Sequence, residues 1–323
     1  MKLPRRQFLH LAAGAAAVPG VTRIARAQGY PTRPVRLIVG SAPGGVVDLY
    51  ARLIGQLLSE RLGQPFMIEN RPGAGGNIGT EVVVRAAPDG YTLLQLTSGH
   101  SWNVTLYDKL NFNFIRDIAP VASIYSSAAA LLVNLSFPAK SVPELIAYAK
   151  ANPGKINMAS SGIGTVGHVY GELFKMMAGV DMLHIPYRSW PLPDLLAGQV
   201  PLMFEPIGSS LEYIRAGKVR PLAVTFATRT EVLPEIPTVG EFVPGYEASG
   251  WQGVGAPGNT PVEIIDKLNE EINAAITDAK MKARIADLGG VVFASSPAEF
   301  RTFIAAYTEK WAKVIKFAGI KAV

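Results

Sequence analysis

The chain has 323 residues, 49% of them hydrophobic, no cysteine and a formal net charge of +6. The lack of cysteine excludes disulfides, a thiol nucleophile and cysteine-ligated metal. Residues 1–27 hold five of the 31 basic residues and no acid, which leaves 26 basic against 25 acidic residues and no basic footprint for nucleic acid.

The N-terminus reads as an address. Arg5-Arg6-Gln7-Phe8-Leu9 leads into a largely apolar run from Leu9 to Val21, and Ala25-Arg26-Ala27 follows as a small-x-small cleavage signal. This predicts a twin-arginine leader over 1–27, a mature start near Gln28 and export to the periplasm. A membrane anchor is the weaker reading, because the run is short and rich in Ala and Gly. No later stretch reaches the ~18 apolar residues of a membrane span, so the mature chain is expected to be soluble.

An apolar strand over Val35–Val39 runs into Ser41-Ala42-Pro43-Gly44-Gly45, and a helix follows. A helix that starts just after a Gly-Gly turn exposes unpaired N–H groups, which together with the helix dipole favour an anion. No lysine follows, so this is not a P-loop. The alternative is a plain tight turn with Asp48 on the helix surface. The second glycine cluster, Gly73, Gly75, Gly76 and Gly79, fails the dinucleotide pattern. Ile78 stands where a glycine is required, and no acid lies at the expected distance beyond. It reads as a structural loop, and no cofactor is expected.

Further strands are predicted at Phe66–Glu69, Thr92–Leu96, Ala128–Asn134, Ile156–Ser160, Met182–Tyr187, Pro201–Glu205 and Pro221–Thr225, with helices between them. The alternation predicts α/β layers with largely parallel sheets. Ser141…Glu144, Thr260…Glu263 and Ser296…Glu299 each have the spacing of a capping box, and Pro261 and Pro297 are placed for the first helical position. The last helix carries Phe300, Phe303, Ile304, Tyr307, Trp311, Val314 and Ile315 at helical period, a core-facing stripe. There is no repeat and no long linker. Two lobes are expected, with crossings at Ala128–Asn134 and Pro221–Thr225.

Ala159–Phe174 follows a strand and opens a helix, with Ser160, Ser161, Gly162, Gly164, Thr165 and His168 close together. One reading pairs Ser161 with His168 as nucleophile and base of an exported hydrolase. The G-x-S-x-G elbow is missing, however, and no acid is placed to orient the histidine. The other reading is a second anion site at a helix start, matching the first. His100, His168 and His184 are not spaced as metal ligands, so no metal is expected.

Taken together, several stretches resemble one family: "RLIVGSAPGGVVDLYARLIGQLLSERLGQP", "IENRPGAGGNIGTEVV", "AAPDGYTLL", "PAKSVPELIAYAKANPGKINMASSGIGTVGHVYGELFKMMAGVDMLHIPY", "DLLAGQVPLMF" and "LAVTFATRTEVLPEIPTVGE". The family is the Bug family, the extracytoplasmic receptors of tripartite tricarboxylate transporters, and the likeness runs from Tyr30 to Ile320. It implies a two-lobed, type II periplasmic-binding-protein fold, with residues 28–127 and 226–323 as one lobe and 128–225 as the other. It also implies capture of a small organic carboxylate in the interlobe cleft and delivery to integral-membrane transporter subunits, by a monomer and without catalysis. On the first lobe it gives ligand contact to Ser41, Ala42, Gly44 and Gly45, with Asp48 in support, and to the loop Thr97, Ser98, His100. On the second it gives contact to Ser161, Gly164, Thr165 and His168. A receptor that presents its ligand to a signalling sensor remains the other binding-protein reading.

The chain departs from the family pattern near the expected cleft. Tyr187-Arg188-Ser189-Trp190-Pro191 replaces a longer Tyr-Lys-Gly segment. Glu205 stands where Asp is common, and the Thr97–His100 loop is a residue shorter, with Trp102 soon after. These changes predict a pocket reshaped by Trp190 and Trp102 for an aromatic or apolar carboxylate, with Tyr187, Arg188 and Glu205 close by and Arg188 paired to a second anionic group. The alternative makes both tryptophans rim or core residues.

Overall fold

The computed structural model describes residues 29–322, so the predicted leader over 1–27 lies outside the described residues. In chain order the elements begin with β1 (Val35–Val39), α1 (Val46–Leu62), β2 (Phe66–Asn70), α2 (Asn77–Val84), β3 (Thr92–Thr97), α3 (Ser98–Leu106) and α4 (Phe114–Asp117). Next come β4 (Ile118–Val133), α5 (Val142–Ala151), β5 (Asn157–Ser160), α6 (Val166–Ala178), β6 (Leu183–Pro186), α7 (Leu192–Leu196) and β7 (Leu202–Pro206). The chain closes with α8 (Ile207–Arg215), β8 (Arg220–Val224), β9 (Ser249–Pro257), α9 (Val262–Thr277), α10 (Ala279–Asp287), β10 (Gly290–Val292) and α11 (Pro297–Phe317).

The strands order as β2-β1-β3-β9-β4-β7-β5-β6, with β8 and β10 also paired to β4. One strand serves two sheets. β4 pairs β9 from Ile118 to Ala128, then pairs β7 from Ala129 to Val133 and β8 from Ala130. The expectation of largely parallel sheets needs correction: β1–β2, β1–β3, β5–β6 and β5–β7 are parallel, but every partner of β4 runs against it, and β3–β9 is antiparallel too. Beyond β8 the chain stays pinned to β4. Ala129 N donates to Thr225 Oγ1 at 2.9 Å, Thr225 N donates to Ala129 O at 2.9 Å, and Ala248 N donates to Thr225 O at 2.7 Å.

Local signals explain most boundaries. α1 ends at Gly63, whose left-handed backbone lets its N–H reach Ser59 O. Ser296 and Glu299 form the predicted capping box, with Pro297 first in α11. Ser141 accepts from Glu144 N, while the Glu144 carboxylate takes the N–H of Lys140 instead of that of the cap. Thr260 does not cap α9. Its hydroxyl donates back to Pro257 O, Pro261 takes the N-cap, and the helix begins at Val262.

The core lies on both faces of the sheets. α1 and α9 bury Tyr50, Ile54 and Ile272 against Leu37, Val39 and Val121. On the other face Trp102 of α3, Tyr170 of α6 and Trp311 of α11 meet. Trp311 stacks on Tyr170 at 5.2 Å and meets Trp102 edge-on at 5.8 Å. The stripe on α11 is therefore core, and Trp102 belongs to it. Because Trp311 is wholly buried at a three-helix junction, Trp311→Ala should cost about 3–5 kcal/mol. Urea unfolding followed by far-UV circular dichroism will read that loss.

Candidate functional site

The β1–α1 turn is held by a buried carboxylate. Asp48 accepts from Gly44 N at 2.9 Å, from Arg52 Nε at 2.9 Å and from Asn70 Nδ2 at 2.9 Å. The Arg52 guanidinium, helped by these other donors, holds the carboxyl down at about 2, so it is ionised at neutral pH. The same Asn70 nitrogen donates to Ser41 O at 3.1 Å. Asp48 therefore braces the turn from behind. The Gly44 N–H is already committed to it, while Ala42, Gly44 and Gly45 are exposed. Gly45 is the N-cap of α1 and carries no side chain, so the first helical N–H groups are uncapped.

A concavity of about 360 Å³ opens beside this turn, lined by Gly40, Ser41, Val47, Gly73, Gly75, Gly76, Gln95, Thr97 and His100. The glycine cluster read from sequence as a structural loop forms one wall of it. A Cβ on Gly40 would lie 2.8 Å from the Gly76 Cα, so the two backbones touch and leave room for nothing larger. Three polar atoms around the concavity are buried without a partner among the described residues: Ser41 Oγ, Gln95 Oε1 and His100 Nε2. Unpartnered atoms also lie in the aromatic core, Trp102 Nε1 and Trp311 Nε1 among them; what sets these three apart is that their residues share one concavity, where a ligand or water can meet them.

Thr97–His100 is not a loop. β3 runs straight into α3 with Thr97 as N-cap, and Ser98 is buried in the first turn. His100 Nδ1 accepts from Thr97 N at 3.0 Å, which leaves the ring proton on Nε2. Burial lowers the pKa of His100 to about 4, so this is a neutral N–H donor.

A second concavity, about 200 Å³, is lined by Ser161, Thr165, Val166, Gly167, Phe204, Glu205 and Pro206 at the start of α6. Thr165 is the N-cap, and its hydroxyl donates to Gly162 O at 2.8 Å. Glu205 Oε1 accepts from Trp190 Nε1 at 2.9 Å and Ser209 Oγ at 2.6 Å, and burial raises its pKa. Trp190 thus holds Glu205 and packs edge-on against Tyr213, while Tyr187 donates to Asp194 at 2.8 Å. Arg188 is exposed and has no ionic partner among the described residues. Trp102, Tyr187, Arg188 and Trp190 border neither concavity.

The hydrolase reading lacks its dyad. His168 Nδ1 accepts from Gly164 N at 3.1 Å, and the ring stacks on His184 at 3.6 Å. Burial and that neighbour push His168 down to about 3. His184 Nε2 lies 2.6 Å from Ser160 Oγ, and Ser161 faces the concavity instead. Among the described residues no group of His, Asp and Glu is placed to hold a metal ion, and no helix is long and apolar enough to cross a membrane. Gly40, Val47, Gly73, Gly75, Gly76 and Gln95 on one side, and Val166, Gly167, Phe204 and Pro206 on the other, were not expected from the sequence. The alternating glycines offered a signal for the first group only.

The profile of a family described as "Tripartite tricarboxylate transporter family receptor" matches residues 50–320. Protein BugT of Bordetella pertussis is 36% identical over 310 residues, covering 94% of this chain and 95% of its own. Among solved structures, R. palustris Rpa4515 with adipate is 38% identical at a TM-score of 0.79, covering 91% of this chain and 100% of that one. The periplasmic binding protein BugD is 34% identical at a TM-score of 0.74, covering 90% and 99%. The mixed α/β architecture described above is therefore that of periplasmic binding proteins.

Two expectations follow from the buried titratable groups. His100, His168 and His184 are all held below their ordinary value, His184 at about 4. The unfolded chain then binds more protons than the folded one below pH ~6.5, so stability is complete above that pH and falls as the pH drops toward 4. For the fully buried His100 the slope approaches ~1.4 kcal/mol per pH unit. Urea midpoints should hold from pH 7.5 to about 6.5 and fall from there to pH 4.5, and a flat profile over the whole range would contradict the assignment. Glu205 has the opposite sign: its raised pKa penalises the fold above its unfolded value. Glu205→Gln should therefore raise the melting temperature at pH 7.5, with the gain shrinking toward pH 4.

Proposed function

This chain belongs to the tripartite tricarboxylate transporter receptor family, and from that premise we propose how its site takes a ligand. One carboxylate of a small organic acid docks on the concavity beside the β1–α1 turn, directly or through an ordered water. Ser41 Oγ, His100 Nε2 and the first N–H groups of α1 donate to it. The start of α6, with Ser161 and Thr165, meets the other end of the ligand. Residues 28–127 with 226–323 form one lobe and 128–225 the other, and the lobes close on the ligand by a hinge at β4. The closed receptor, released to the periplasm once its leader is removed, hands the ligand to the integral-membrane subunits of its transporter.

The observation that carries this reading is the pair of buried, unpartnered groups Ser41 Oγ and His100 Nε2 on one concavity at a helix N-terminus. The adipate held by Rpa4515 supports a carboxylate of this kind. Thermal unfolding of residues 28–323 against linear dicarboxylates, aromatic carboxylates and inorganic phosphate tests it. A bound ligand at 100 times its Kd stabilises by ~2.7 kcal/mol, which a melting curve resolves. One carboxylate class should raise the melting temperature, and Ser41→Ala should weaken that class about tenfold. Silence from every carboxylate, or an unaltered Kd in Ser41→Ala, overturns the reading.

A further inference from the structure

Gln95 is wholly buried on β3 and borders the concavity beside the β1–α1 turn. Behind it runs a chain of two buried amides and a phenol across three adjacent strands. Gln95 Nε2 lies 2.9 Å from Gln252 Oε1, and Gln252 Nε2 lies 2.7 Å from the Tyr125 hydroxyl, with Gln252 opposite Tyr125 in the β9–β4 register. In that sense the chain is wasteful at both ends. Gln95 Oε1 is a buried acceptor without a donor, and the Tyr125 hydroxyl, whose one hydrogen bond among the described residues is that with Gln252, is left with its own proton unused.

Amide oxygen and nitrogen occupy interchangeable positions, so the sense of such a chain is decided by hydrogen-bond accounting. With both amides turned over, the Tyr125 O–H donates to Gln252 Oε1 and Gln252 Nε2 donates to Gln95 Oε1. Every contact keeps its distance and the phenolic proton gains an acceptor, while the orphaned carbonyl is exchanged for a Gln95 NH₂ whose protons are left for a ligand or water to accept. Gln95 Nε2 then takes the vacated position, on a residue that lines the concavity together with Ser41 and His100. The wall changes from two donors and an acceptor to three donors. A carboxylate accepts from all three, whereas a carboxamide would find only the Ser41 hydroxyl to accept from its NH₂ and would set its other N–H against the Gln95 and His100 donors.

We propose that Gln252 and Tyr125 are positioning residues that fix the Gln95 amide with its N–H groups toward the concavity, making this wall select a carboxylate over the matching carboxamide. The selectivity rests on the carboxylate seat proposed above, whereas the sense of the relay does not.

Two measurements separate these claims. Neutron diffraction from deuterium-exchanged crystals of residues 28–323 locates the amide deuterons. The Gln252 deuterons should point at Gln95, and deuterons pointing at Tyr125 overturn the proposal whatever the ligand. The second measurement compares adipate with adipamide by titration calorimetry in the wild type and in Tyr125→Phe, which keeps the ring stacked on Tyr50 at 3.9 Å. Without the phenolic proton the relay loses its preferred sense. The Kd for adipate should rise about tenfold while that for adipamide holds or improves. Equal weakening of both would mark Tyr125 as merely structural and overturn the proposal. If neither adipate nor any other carboxylate binds the wild type while the deuterons point at Gln95, the carboxylate seat fails and its selectivity with it, and only the sense of the relay stands.

Discussion

The structure depends on one strand being shared. β4 is built into the first sheet along its first eleven residues and into the second along its last five, so neither sheet is complete without it. Its pairing changes between Ala128 and Ala129, where the backbone is also tied to Thr225 on both its N–H and its C=O. Any relative motion of the two sheets must bend this short stretch, because both ends of the strand are fixed by ladders. The small side chains Ala128, Ala129 and Ala130 lie buried at that point. The α3–α6–α11 aromatic junction ties the helices of the two sheets together on one face.

Much of the α/β frame could be read from the sequence, because its parallel strands are short apolar runs with punctuated ends. Val35–Val39 is bounded by proline and glycine, and its limits agree in sequence and structure. The failures have a common cause. The first part of β4 contains Pro120 and shows no alternation, since it is buried on both faces; the proline is accommodated at a register shift between Pro120 and Ala122. β9 carries Gly250, Gly253 and Gly255, which reads as loop. A Cβ on Gly253 would lie 2.5 Å from Ala122 O, so the glycine serves close packing inside a central strand. Both strands are defined by tertiary contacts that a local pattern does not encode, and with them went the antiparallel half of the topology.

The site was legible where chemistry and helix starts coincide. Ser41, Thr97, His100, Ser161, Thr165 and Glu205 border the two concavities. Asp48, Gly164 and His168 serve the site from behind, through bonds within their own turns. Gln95 was not legible, because a lone glutamine within an apolar strand carries no signal until Gln252, 157 positions away, is seen beside it. Trp190 shows how a substitution near a cleft can act indirectly: its indole N–H is spent on Glu205, and its ring on Tyr213.

Neither concavity is lined by a lysine or an arginine. The donors proposed for the site are hydroxyl, neutral imidazole, amide and backbone N–H, and the Arg52 guanidinium at the β1–α1 turn is paired with Asp48. Short-range dipoles of this kind act at contact and fall off within a turn of helix, whereas a cationic pocket projects a field that mobile ions screen over ~8 Å at physiological ionic strength. A receptor built this way gives up electrostatic steering of its ligand. In return, a seat of the kind proposed above would hold its ligand with an affinity that changes little with salt, a useful property wherever ionic strength is not under the cell's control.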